Sequence, residues 1–126
     1  MQQLNRRIIV FDDEQDILSI CEMVLEDAGW EVFTFNTCND IVAKVTEIDP
    51  SIILIDQRIP DVGGVASTQL LKRTDSLKHI PVILFSATDK ISVLADEAGA
   101  DTYLAKPFEI LDLEKIVEVY AKSSIA

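Results

Sequence analysis

The stretch Ile52-Ile53-Leu54-Ile55-Asp56 decides the fold. Four aliphatic residues in a row, closed by a carboxylate, suit a strand covered on both faces, because a sheet with one wet face would alternate apolar and polar residues. A second run, Ile8-Ile9-Val10-Phe11, ends in the pair Asp12-Asp13 in the same way. If both runs lie parallel in one sheet, their carboxyl ends emerge at the same edge, where open α/β folds place their chemistry. Three carboxylates then converge. Like charges a few ångströms apart resist full ionisation, so the cluster calls for a divalent cation with oxygen ligands, Mg2+ above all, and points to phosphoryl chemistry.

Outward from these two runs, short β-rich segments alternate with longer helical patterns from end to end, the signature of a parallel sheet covered by helices on both faces. Five βα units fit. The strands are expected at Ile8 to Phe11, Glu31 to Phe35, Ile52 to Ile55, Val82 to Phe85 and Thr102 to Ala105. The second alternates, as an edge strand should, and the fifth follows the same logic. Helix one is expected from Glu14 to Ala28, stopped by Gly29, with Ile17, Ile20, Cys21, Val24, Leu25 and Ala28 forming its apolar stripe. Helix two runs from Asn39 to Ile48, with Pro50 closing the segment, and helix three begins near Gly64 and buries Leu70 and Leu71. Helix four spans Lys90 to Ala98 before Gly99, and helix five, Ile110 to Lys122, turns Ile110, Leu113, Ile116, Val117 and Tyr120 inward.

The size and charge bound the rest. A chain of 126 residues is one domain, residues 1–126, able to bury a core without disulfides or structural metal. With 11 Lys+Arg against 22 Asp+Glu the net charge is −11, which argues against direct nucleic-acid binding, since phosphate backbones reward basic clusters. The apolar start is too short for a signal peptide, and no stretch approaches a membrane span, so a soluble cytoplasmic protein is expected. Cys21 and Cys38 are too few and too far apart for a zinc ribbon or redox pair, and His79 reads as a surface loop residue.

Two more residues stand at strand ends on the active edge: Ser86 after the fourth strand and Lys106 after the fifth. A hydroxyl donor and a cation complete what a phosphoryl-accepting carboxylate needs, because the transferred oxygens carry charge that must be stabilised. At this point the chain resembles the receiver domains of two-component response regulators over essentially its whole length. Asp12-Asp13 matches the family's acidic pair. Asp56-Gln57-Arg58-Ile59-Pro60-Asp61-Val62-Gly63-Gly64 matches its phosphoacceptor and loop, and Ser86-Ala87 its hydroxyl residue. Gly99-Ala100-Asp101-Thr102-Tyr103-Leu104-Ala105-Lys106-Pro107-Phe108 follows its most specific motif.

The resemblance implies a flavodoxin-like (βα)5 three-layer sandwich with strand order 2-1-3-4-5. It implies that Asp56 takes the phosphoryl group from a sensor histidine kinase or histidine phosphotransfer protein. Asp13, Asp56 and the backbone carbonyl of Arg58 would ligate Mg2+, with Asp12 acting through a water. Lys106 would pair with the phosphoryl oxygens, its bond to Pro107 being cis. Ser86 and Tyr103 would be the switch, reshaping the face of helix four, strand five and helix five. Arg58 and Thr88 would tune hydrolysis. The output would be altered binding of a downstream protein effector, with homodimerisation a further option.

Some positions depart from the family pattern. Ser86 replaces the commoner Thr and lacks the methyl group that restricts the rotamer. Gly63 stands where an acidic residue is frequent, which weakens the cap of helix three by a few tenths of a kcal/mol. Three other readings stay open. A haloacid-dehalogenase-like Mg2+-dependent phosphatase would use Asp12 as nucleophile, but Glu14 and Asp16 occupy places where that family wants other residues. A flavin carrier would need a phosphate loop that Asp12-Asp13-Glu14 opposes. A receiver-like interaction module that is never phosphorylated is the third. No output domain follows helix five in this sequence, so function passes to a partner or the chain is part of a larger protein. The exposed side of helix four, with Lys90, Val93 and Glu97, is a candidate partner surface.

Overall fold

The computed structural model describes residues 5–60 and 62–123, of which Lys122 and Ser123 are described as backbone only. Asp61 of the loop motif lies outside the described residues, as does the Lys122 side chain at the expected end of helix five. The elements run β1 (Arg7–Phe11), α1 (Gln15–Asp27), β2 (Glu31–Phe35), α2 (Ile41–Ile48), β3 (Ile52–Asp56), α3 (Gly64–Arg73), β4 (Val82–Ser86), α4 (Ile91–Ala98), β5 (Thr102–Ala105) and α5 (Ile110–Ser123). All strand pairs are parallel and the sheet order is β2-β1-β3-β4-β5, so β2 and β5 are the edges, as the sequence pattern indicates.

The apolar runs work as expected because consecutive side chains leave opposite faces of the sheet. Ile8, Val10, Ile52, Leu54, Ile83 and Phe85 pack on one face against Leu18, Cys21 and Leu25 of α1 and Leu113 and Val117 of α5. Ile9, Phe11, Ile53, Ile55, Val82 and Leu84 pack on the other against Ile41 and Val45 of α2, Leu71 of α3 and Ile91 and Ala95 of α4. These are the three layers. Register carries the chemistry to one edge: Phe11 is opposite Ile55 and Ser86 opposite Ala105, so Asp12 emerges beside Asp56 and Lys106 follows just past Ser86.

Several side chains depart from the periodic pattern. Ile110 is half exposed, because the first turn of α5 borders an open groove beside Met23 and Val24 of α1 rather than the sheet. Leu70 is also largely exposed; its neighbour Leu71 takes the core position, and Leu70 lines a groove between α2 and α3. Ile20 falls at the margin of its stripe and is partly exposed. Helix two starts two residues later than expected, since Asp40 adopts a left-handed conformation with φ 55°. His79 is exposed in the turn before β4, and both cysteines are buried outside any disulfide. Burial pushes the Cys21 thiol up to about 12.

Candidate phosphorylation site

Asp56 is the last residue of β3 and Ser86 the last of β4, while Asp12 follows β1 and Lys106 follows β5. The Lys106 ammonium is the hub of the edge. Its Nζ donates to Asp12 Oδ2 at 2.7 Å, to Asp56 Oδ1 at 3.0 Å and to Glu14 Oε1 at 3.3 Å. It also sits 4.8 Å from the centre of the Phe85 ring, which meets Phe108 edge-on. The Lys106–Pro107 bond is cis, as the resemblance implies.

Asp12 is fully buried and Asp56 nearly so, and Asp13 stands exposed beside them. Burial raises the pKa of both buried carboxylates, against the lowering effect of their bonds to Lys106. Burial alone would lower the Lys106 pKa, but its bonds to Asp12 and Asp56 outweigh that and raise it. One buried cation therefore serves two buried anions and a share of a third. Asp12, Asp13 and Asp56 each offer a carboxylate oxygen within 4.8 Å of the others. Hard oxygen donors with an excess of negative charge are what Mg2+ or a similar cation takes, so the residues present fit such an ion. Around them lies an open cleft of about 300 Å³ lined by Asp13, Glu14, Asp56, Arg58, Ala87 and Lys106.

The two glycines after the loop have different reasons. Gly63 adopts φ 87°, a conformation that favours glycine, and precedes α3 without any side-chain cap. Gly64 has ordinary backbone angles but no room: a Cβ there would collide with the Asp56 carbonyl oxygen and lie 2.8 Å from Gln57 Cα. Its N–H donates to Gln57 O at 3.1 Å, closing the loop that carries Arg58.

The expected switch residues stand apart from the cluster. Ser86 Oγ donates to Gln57 Oε1 at 3.2 Å and accepts from the Thr88 N–H at 3.2 Å. Thr88 Oγ1 in turn accepts from the Lys90 N–H. Tyr103 is 42 % exposed on the edge strand. Sequence reasoning missed Gln57 as the partner of Ser86 and Glu14 as a third partner of Lys106. The signal for both was adjacency to a strand-end aspartate, which places a side chain at the edge without saying where it turns.

A family model described as the response regulator receiver domain matches residues 8–118. The chain belongs to that family. It is a receiver domain of two-component signalling, a signalling module, and membership sets aside the phosphatase and flavin-carrier alternatives. Protein PilG of Pseudomonas aeruginosa is 31% identical over 122 residues, covering 93% of this chain and 88% of PilG. The alkaline phosphatase synthesis transcriptional regulatory protein PhoP of Bacillus subtilis is 28% identical over 98% of this chain, which spans 52% of PhoP's length. In fold, the chain is similar to the receiver domain of the sensor histidine kinase PA1611 from Pseudomonas aeruginosa PAO1, with TM-score 0.84 and 22% identity over 94% of this chain and 98% of that one. That structure has a magnesium ion coordinated in its active-site cleft. No described helix of the present receiver is long and apolar enough to cross a membrane.

Proposed function

We propose that Asp56 is the phosphoacceptor of a receiver unit spanning residues 1–126, loaded by a histidine kinase or histidine phosphotransfer protein in the cytoplasm. The observation that carries this is the Lys106 ammonium held 3.0 Å from Asp56 Oδ1 beside an open cleft and two further aspartates. A carboxylate oxygen of Asp56 attacks the phosphorus in line while the bond to the donor breaks, so negative charge builds on the equatorial oxygens. Lys106 is already placed to meet that charge, and its two bonds to Asp12 and Asp56 keep it protonated. The Ser86 hydroxyl reaches the phosphoryl group by giving up Gln57, and Tyr103 then turns inward beside it.

Asp12, Asp13, Asp56 and the backbone carbonyl of Arg58 would hold Mg2+. When bound, Mg2+ supplies charge neutralisation for the transferring phosphoryl oxygens. Arg58, which lines the cleft, and Thr88, next to the lining residue Ala87, set how readily water attacks the phosphoaspartate. The altered α4-β5-α5 face, including Val93 and Tyr103, is then read by a downstream protein or by a second copy of the receiver. Incubation with acetyl phosphate and MgCl2 should add one acid-stable, base-labile phosphate, absent in Asp56→Asn. Labelling that persists in the variant removes Asp56 as acceptor, and a wild-type chain that takes no phosphate from a small donor or a phosphohistidine protein is the unphosphorylated interaction module instead.

A further inference from the structure

Among the described residues that line the cleft, Glu14 is the one acidic side chain that phosphoacceptance and metal binding leave without a role. It stands outside the three-carboxylate cluster of Asp12, Asp13 and Asp56. Its backbone is nevertheless held in place. The Glu14 N–H donates to Asp12 Oδ1 at 2.8 Å, and the residue immediately precedes α1, where its side chain caps nothing. The carboxylate turns instead to Lys106, with Oε1 3.3 Å from Nζ. Burial grades outward along that contact: the side chains of Asp56 and Lys106 are 6% and 9% exposed, that of Glu14 63%. Glu14 thus lies between solvent and the ammonium that phosphoryl oxygens must reach.

We propose that Glu14 is a charge gate at the mouth of the cleft, a specificity residue that penalises small phosphodonors in proportion to their negative charge; this rests on Asp56 being the acceptor. A donor's phosphoryl oxygens and the Glu14 carboxylate compete for the same cation, and the donor must enter the field of Glu14 to do so. With acetyl phosphate, two negative charges enter; an Asp56 oxygen bonds to phosphorus, the phosphorus–oxygen bond breaks and acetate leaves. With phosphoramidate, the net charge is one; the same bond forms, the phosphorus–nitrogen bond breaks and ammonia leaves with its three protons. The chemistry at Asp56 is common to both, so a gate shows as a difference between donors. A histidine-bound phosphoryl group arriving on a protein surface meets Glu14 together with whatever cations that surface carries, so the gate favours protein donors over free metabolite-sized ones.

The test measures phosphorylation rates of the full chain by intact mass, with each donor at fixed MgCl2 and at low and high ionic strength, for wild type, Glu14→Gln and Glu14→Lys. Glu14→Gln should accelerate the acetyl phosphate reaction about 3- to 10-fold at low salt and the phosphoramidate reaction by about the square root of that factor. Glu14→Lys should go further in the same order, and high salt should shrink both gains. Equal acceleration with the two donors means that Glu14 acts only by holding Lys106, and unchanged rates mean that it does nothing; either overturns the gate. Wild-type-level labelling of Asp56→Asn overturns the acceptor assignment itself, a result that no donor ratio mimics.

Discussion

Replacing Asp56 by Asn should stabilise the metal-free protein, although it deletes a buried ion pair. With an effective dielectric of about 20, the 3.0 Å contact to Lys106 is worth about 5–6 kcal/mol of Coulomb attraction. Repulsion from Asp12 at up to 4.8 Å costs about 3–4 kcal/mol, and Asp13 at a similar distance adds a smaller, solvent-screened share. Attraction and repulsion nearly cancel, and the cost of burying the carboxylate decides the sign, in line with its raised pKa. Neutralising the group by an isosteric amide leaves Lys106 still paired with Asp12 and Glu14, and should gain about 1–2 kcal/mol. That is a Tm increase of about 3–8 °C for a domain of this size. Because the folded pKa is raised, the stability linked to the Asp56 proton is full below its ordinary value of 3.8 and lost as pH rises through the higher folded value. The variant's advantage should therefore grow across that interval and level off once the pH lies above the folded value. Thermal unfolding followed by circular dichroism in EDTA, at pH values from the acid limit of folding to 8, measures this directly. Added MgCl2 should narrow the gap by stabilising wild type more than the variant. A variant that melts below wild type at pH 7.5 in EDTA would refute the balance of charges argued here.

Four other outcomes follow from the geometry. Gly64→Ala should lose about 1–3 kcal/mol in urea unfolding, because the new methyl meets the fixed backbone of Asp56 and Gln57 rather than a movable side chain. Gly63→Ala should show a comparable loss from its positive φ alone, so the pair of variants separates crowding from conformation. Lys106→Met leaves Asp12 and Asp56 without their buried cation, and phosphorylation by acetyl phosphate should slow by about 100-fold or more. Cys21, buried with its pKa pushed up to about 12, should resist iodoacetamide in the native protein at pH 8 and react at an ordinary rate once guanidinium unfolds the chain.

What the sequence discloses about this site depends on whether the backbone or a side-chain torsion decides it. The strand-end placement of Asp12, Asp56, Ser86 and Lys106 follows from period and parallel register, both of which are written in the apolar runs, so the meeting of Asp12, Asp56 and Lys106 is legible in the sequence. Helix boundaries were less so: Asp40 and Asp49 take left-handed backbone angles that Asp tolerates but does not announce. The burial of Leu71 in place of Leu70, and the exposure of Ile110, depend on which side of a stripe the neighbouring helix leaves open. A 3.6-residue period alone cannot fix that. The partner choices within the site are less legible still. Ser86 precedes Ala87 of the cleft lining yet its hydroxyl is engaged with Gln57, and Glu14 turns towards Lys106 although its place before α1 is one where a side chain often caps the helix. Both choices are made by competition for donors at a crowded edge, where Lys106 has more carboxylates within reach than a single ammonium can neutralise. It is that shortage of positive charge, set by the composition of the edge and not by any one motif, that makes the site receptive to a divalent cation and gives Glu14 leverage over what enters.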